Sequence, residues 1–139
     1  MKFISTKVHG VMDYMMGVLL IASPWIFGFA DHNGMQLWTP VILGIMTIIY
    51  SLMTDYELGL SDNISMRTHL VIDFISGVLL AASPWLFGFA DQVYLPHLIL
   101  GIVELGAVLF TTTTVGGHAR LHHHTPNMRM GNRHKTAHG

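Results

Sequence analysis

The sequence predicts an all-α fold. The expected form is a four-transmembrane-helix bundle built from two tandem parallel helical-hairpin repeats, with a pseudo-two-fold axis along the membrane normal. Three observations predict it. Half of the residues are apolar, only 11% are charged and mean hydropathy is +0.49, so a soluble fold of this size has too little interior to hide the apolar surface. Four apolar runs, each long enough to cross a bilayer core of about 30 Å, are separated by short polar breaks. The phrase SPWIFGFAD at Ser23–Asp31 returns as SPWLFGFAD at Ser83–Asp91.

The runs are Val8–Phe29, Leu37–Thr54, Leu70–Phe89 and Tyr94–Thr113. None shows the period-2 alternation of a barrel strand. They divide the chain into an N-terminus (1–7), a first repeat (8–54), a loop (55–68), a second repeat (69–114) and a His-rich basic tail (115–139) that is expected to be flexible. All seven Lys and Arg fall in the N-terminus, the middle loop or the tail, and the hairpin tips at Asp31 and Asp91 carry none. The positive-inside rule then puts both termini in the cytoplasm of a multi-pass protein of the inner (plasma) membrane. The first run follows Lys2 and Lys7 and so imitates a signal peptide. Its phrase recurs inside the chain, so it is expected to stay in the mature protein.

His9–Asp31 aligned with His69–Asp91 is identical at 16 of 23 positions. The following spans match more weakly, through LGI at Leu43–Ile45 and Leu100–Ile102. At helical spacing His9, Asp13, Gly17, Pro24 and Gly28 fall on one stripe, as do His69, Asp73, Gly77, Pro84 and Gly88. Small and polar stripes are where membrane helices meet, so the first and third helices are expected to pack through them. Within the phrase, Pro24 and Pro84 each remove a backbone donor, and the hydroxyls of Ser23 and Ser83 can bond the carbonyl left over. Trp25 and Trp85 sit where an indole reaches the membrane interface.

A duplicated S-P-W near the end of the first helix of a two-span unit, with H-x-x-x-D at its start, resembles the SPW-repeat family of small bacterial integral membrane proteins. The resemblance covers most of residues 8–113. It implies membrane location and a two-helix unit and carries no activity with it.

His9, Asp13, His69 and Asp73 are the candidate metal-ligating residues. Histidine and aspartate four apart share a helix face, and a carboxylate about one turn inside the membrane boundary is costly unless paired. If the two stripes meet, two imidazoles and two carboxylates converge. That set suits Zn²⁺ or Fe²⁺, or one histidine from each repeat can flank a b-type haem. The plain alternative is that each pair pins helices. Glu104 breaks the repeat, because its counterpart in the second span is Thr47. A carboxyl in mid-span is expected to be a protonated acid bonded to Thr47, to Ser76 or Ser83, or to a backbone carbonyl. In the tail, His122–His124 can bind a divalent metal weakly.

The chain has no cysteine, which excludes disulfides and thiolate metal sites. No nucleophile elbow, P-loop or zinc-protease helix is present, and nothing points to a nucleic-acid partner. Three readings of function follow. The first is a structural, assembly or accessory bundle in the lipid bilayer, as a homodimer or with a membrane-complex partner. The second is an intramembrane metal or haem binding protein. The third is a small transporter or proton pathway through Glu104.

Overall fold

The computed structural model describes residues 1–113. Among them are four helices and no β-strand: α1 (Thr6–Ile26), α2 (Met35–Leu52), α3 (Met66–Leu86) and α4 (Leu95–Phe110). Ser5 and Ser65 cap α1 and α3, each hydroxyl accepting from the amide three residues on, Val8 or Thr68, at 3.3 Å. That satisfies one of the amides a helix start leaves free. Both helices therefore begin before their apolar runs. For α3 the difference is four residues, because its first turn is polar (Arg67, Thr68, His69) and hydropathy does not register it.

The repeated phrase builds a helix end. The Ser23 hydroxyl donates to the Leu20 carbonyl at 2.8 Å, and Ser83 donates to Leu80 at 2.7 Å, so the expected repair beside each proline is present. Two residues past the proline the helix stops. Gly28 and Gly88 have φ of 72°, and the Phe29 and Phe89 amides turn back to the carbonyls of Pro24 and Pro84, both at 2.8 Å. This is a left-handed glycine stop, in which glycine avoids the Cβ clash. The expectation that Gly28 and Gly88 face a partner helix is corrected, since a Cβ built at either position meets nothing within 4 Å.

The packing corrects the stripe as well. α1 packs chiefly on α2 and α3 chiefly on α4, with lighter contact between α2 and α3 and between α1 and α4. Gly17 serves the first hairpin, where a Cβ on Gly44 would lie 2.6 Å from the Gly17 carbonyl oxygen. Gly77 serves the second, where a Cβ on Gly101 would lie 2.7 Å from the Gly77 oxygen. The glycines let the two backbones of one hairpin touch, and the stripe's histidines and aspartates reach across to the other hairpin.

The hairpins are also tied where their helices begin and end. Asp55 N donates to Ile64 O at 2.8 Å and Ile64 N to Met53 O at 3.0 Å. At the other junction Ile4 N donates to Phe110 O at 3.0 Å and Thr112 N to Ile4 O at 2.9 Å. The loop between α2 and α3 folds over the start of α1. The Thr6 hydroxyl bonds the Glu57 carboxylate, and the Tyr14 hydroxyl donates to Leu58 O at 2.9 Å. The Tyr56 ring occupies the space left by Gly10. Burial pushes the Tyr56 phenol above its ordinary value, so it stays neutral there.

Polarity runs inside out. Among the described residues, buried polar side chains outnumber buried apolar ones, while Met15, Val18, Ile42, Ile49, Val71, Ile75, Ile99 and Ile102 are exposed. Two helices, α2 and α3, are each long and apolar enough to cross a membrane. α4 is apolar but has 16 residues, about 24 Å of helix.

Candidate functional site

The four candidate residues meet in one buried cluster. His69 is fully buried, His9 and Asp73 are 1% exposed and Asp13 is 7% exposed. His9 Nε2 lies 3.0 Å from Asp73 Oδ2 and 3.3 Å from Asp13 Oδ1. His69 Nε2 lies 2.9 Å from Asp13 Oδ2 and 3.0 Å from Asp73 Oδ2. Each histidine thus contacts the aspartate of its own helix and that of the other hairpin. The rings meet edge to face with centroids 5.5 Å apart.

The far side of each ring is held by a threonine. Thr54 Oγ1 donates to Tyr50 O at 2.7 Å and sits 2.8 Å from His69 Nδ1. Thr111 Oγ1 donates to Ala107 O at 2.6 Å and sits 2.9 Å from His9 Nδ1. With its own hydrogen on a backbone carbonyl, each hydroxyl offers Nδ1 only a lone pair, so Nδ1 carries the proton and donates. Nε2 is thereby turned toward the carboxylates in both repeats. Thr54 and Thr111 were missed from sequence. Carrying the alignment past LGI to the ends of the second spans places one on the other.

Tyr50 was missed too, and it makes the two sides unequal. Its hydroxyl donates to Asp73 Oδ1 and lies 3.3 Å from Thr47 Oγ1. The register that pairs Thr47 with Glu104 pairs Tyr50 with Ala107. On that side no phenol reaches Asp13, which has Ser51 Oγ at 3.4 Å. A cavity of about 20 Å³ remains, lined by His9, Asp13, Met16, Thr47, Glu104 and Ala107. That is room for one water molecule.

Glu104 borders this cavity. It is 7% exposed, and among the described residues neither carboxyl oxygen has a hydrogen-bond partner. The expected bond to Thr47, to a serine or to a carbonyl is corrected. Thr47 donates to Leu43 O at 2.9 Å and Ser83 to Leu80 O, because a hydroxyl on a helix finds its own preceding carbonyl first. Glu104→Leu is expected to raise stability by about 1–3 kcal/mol, the cost of an unsatisfied buried polar group. Thermal unfolding in detergent checks it, and a loss of that size would show that Glu104 has a partner.

At the opposite end of the helices His97 is buried between Phe29 and Phe89, with ring centroids 5.1 and 5.0 Å away, and its Nε2–H donates to Gln36 O at 2.9 Å. Gln36 Nε2 donates to Gln92 Oε1 at 3.0 Å, a second link between the hairpins. Trp25 and Trp85 are largely exposed, and Trp85 packs on Tyr94. His122–His124 and the rest of the tail lie outside the described residues.

A haem does not fit between the histidines. Bis-histidine ligation needs a porphyrin plane between two imidazoles, and here carboxylates occupy that space beside a water-sized cavity. The four side chains can hold the hairpins together, or hold one small cation.

No curated protein and no solved structure matches the chain. The model of the SPW repeat domain matches residues 7–111, which takes in both copies of the phrase, both His–Asp pairs and both threonines that hold them, and the chain therefore belongs to the SPW repeat family.

Proposed function

We propose that the protein is a multi-pass membrane protein of the bacterial inner membrane, and that it works as a structural, assembly or accessory subunit. Family membership and the two apolar helices point to a membrane protein. The observation that carries the full reading is the inverted polarity, a polar interior inside an apolar outer surface. That surface suits lipid, where interhelical contacts come from small residues and internal polar bonds. In this reading all four helices span, and the two hairpins stand parallel about a pseudo-two-fold axis along the membrane normal. His9, Asp13, His69 and Asp73 lie on that axis as a clamp. Lys2 and Arg67 border one apolar groove with Leu70 and Phe74, as expected at the cytoplasmic headgroup level. The clamp's polar atoms are largely taken up by bonds to one another, which suits a part that holds helices in place.

The absence of native cysteine makes topology directly measurable. Single cysteines at Lys2, Arg67 or Asp31, Asp91 can each be labelled with a membrane-impermeant thiol reagent on intact cells. Positions 31 and 91 are expected to label from outside, and positions 2 and 67 only after lysis. Labelling of positions 2 and 67 from opposite sides would exclude the four-span arrangement, and outside labelling of both would reverse its orientation. The subunit role predicts a stable oligomer or co-purifying membrane protein in mild detergent. A strictly monomeric, partner-free chain counts against it.

A second reading draws on the unpartnered Glu104 beside its cavity, through which a proton path would run. Proton flux in proteoliposomes that Glu104→Gln changes would favour it, and no flux in the wild-type chain would remove it.

A further inference from the structure

We propose that the buried cluster of His9, Asp13, His69 and Asp73 binds one divalent transition-metal ion of the Zn²⁺ class, with the cavity beside Glu104 as an exchangeable water position. This goes beyond the clamp, which needs no ion.

Four features of the site support it. One ligand atom from each residue can be chosen so that all four lie within 4.8 Å of one another. Tetrahedral zinc with ligand distances of about 2.0–2.1 Å spaces its ligands about 3.3 Å apart. The close nitrogen–oxygen contacts, at 2.9 to 3.3 Å, already lie near that spacing, with Asp13 meeting His9 through Oδ1 and His69 through Oδ2. An ion would draw the wider pairs of the set inward from separations of up to 4.8 Å.

The histidines are preset for it. Thr54 and Thr111 hold the proton on Nδ1 in both rings. A hydrogen bond that fixes the far nitrogen is how metal-binding imidazoles are oriented. Helix pairing alone needs no particular ring nitrogen at the centre.

Charge balances as well. Without an ion, each of the two Nε2 atoms faces two carboxylates and needs one proton to share between them, two protons in all. One divalent ion replaces two such protons, leaving two neutral imidazoles and two carboxylates, so the buried charge is unchanged.

The fourth feature lies outside the four residues. Glu104 is more than nine-tenths buried, its carboxyl has no partner, and it borders a cavity that His9 and Asp13 also line. The cavity exists because Ala107 stands where the first hairpin has Tyr50. An ion in the cluster would have a water position on this side, with the Glu104 carboxyl as its hydrogen-bond partner.

The test uses the full chain in detergent, stripped with chelator and titrated with Zn²⁺ alone. One tightly held ion per chain is expected, with release of two protons measured by calorimetry in two buffers of different ionisation enthalpy. X-ray absorption at the zinc edge is expected to show two imidazoles with oxygen ligands at about 2.0–2.2 Å. Asp13→Asn and Asp73→Asn are each expected to weaken binding about 100-fold, with helical content unchanged. A His122→Gln, His123→Gln, His124→Gln variant is expected to keep the ion. The proposal is overturned if the wild-type chain retains no ion, if the tail variant loses it, or if the Asp→Asn variants bind as the wild type does. Should those variants fail to fold, the absorption spectrum of the wild-type protein decides, and a shell of three or more imidazoles would place the ion elsewhere. Topology and oligomeric state are untouched by any of these outcomes, so the bundle reading stands or falls separately.

Discussion

Asp73→Ala is expected to lower the stability of the metal-free protein by about 3–5 kcal/mol, the loss found when one partner of a buried ion pair is removed. Asp73 is the most heavily bonded member of the cluster. Oδ2 meets both histidines at 3.0 Å, and Oδ1 accepts from Tyr50. Without it two imidazoles share only Asp13, and the Tyr50 hydroxyl loses its acceptor. Asp13→Ala is expected to cost less. Asp13 already borders the water-sized cavity, so water can enter and replace part of what is lost. Thermal unfolding of the two variants in the same detergent gives the comparison. Equal and small losses would mean that the cluster does not hold the hairpins together.

Gly44→Val is expected to cost about 3 kcal/mol, the upper end of what overpacking produces. A Cβ at this position would sit 2.6 Å from the backbone oxygen of Gly17 and 2.9 Å from Leu20 Cβ. Backbone cannot rotate aside as a side chain can, so α1 and α2 would have to separate. Separation also pulls on the cluster, because His9 and Asp13 ride on α1 and Tyr50 on α2. Gly106→Ala is the control. It has nothing within 4 Å of a Cβ, and alanine is favoured over glycine in a helix by roughly 0.5–1 kcal/mol, so it is expected to be neutral or stabilising. If both substitutions behave alike, the glycine contact is not what closes the hairpin.

Much of the architecture is legible in the sequence, because its causes are local or periodic. Four apolar runs give four helices, since a span's length and hydropathy are properties of contiguous residues. The duplication is visible because 16 of 23 aligned positions are identical. The proline and its serine can be read as break and repair because the bond runs to a carbonyl within one turn. The His–Asp spacing places both groups on one face for the same reason.

What the tertiary structure alone decided concerns partners that lie far apart in the chain. Gly28 and Gly88 look like members of the helical stripe, and only their φ of 72° shows that the helix has ended before them. Gly17 and Gly77 touch the second helix of their own hairpin, a choice between neighbours that periodicity does not make. Thr54 reaches His69 and Thr111 reaches His9, the latter across 102 positions of sequence. Ala107 becomes informative only where the packed helices leave a cavity in place of the Tyr50 phenol. The sequence by itself determined which residues share a face. Which face meets which, and so whether four polar residues form two separate pins or one closed cluster, was decided by three-dimensional packing, because one helix's periodicity holds no record of its neighbour.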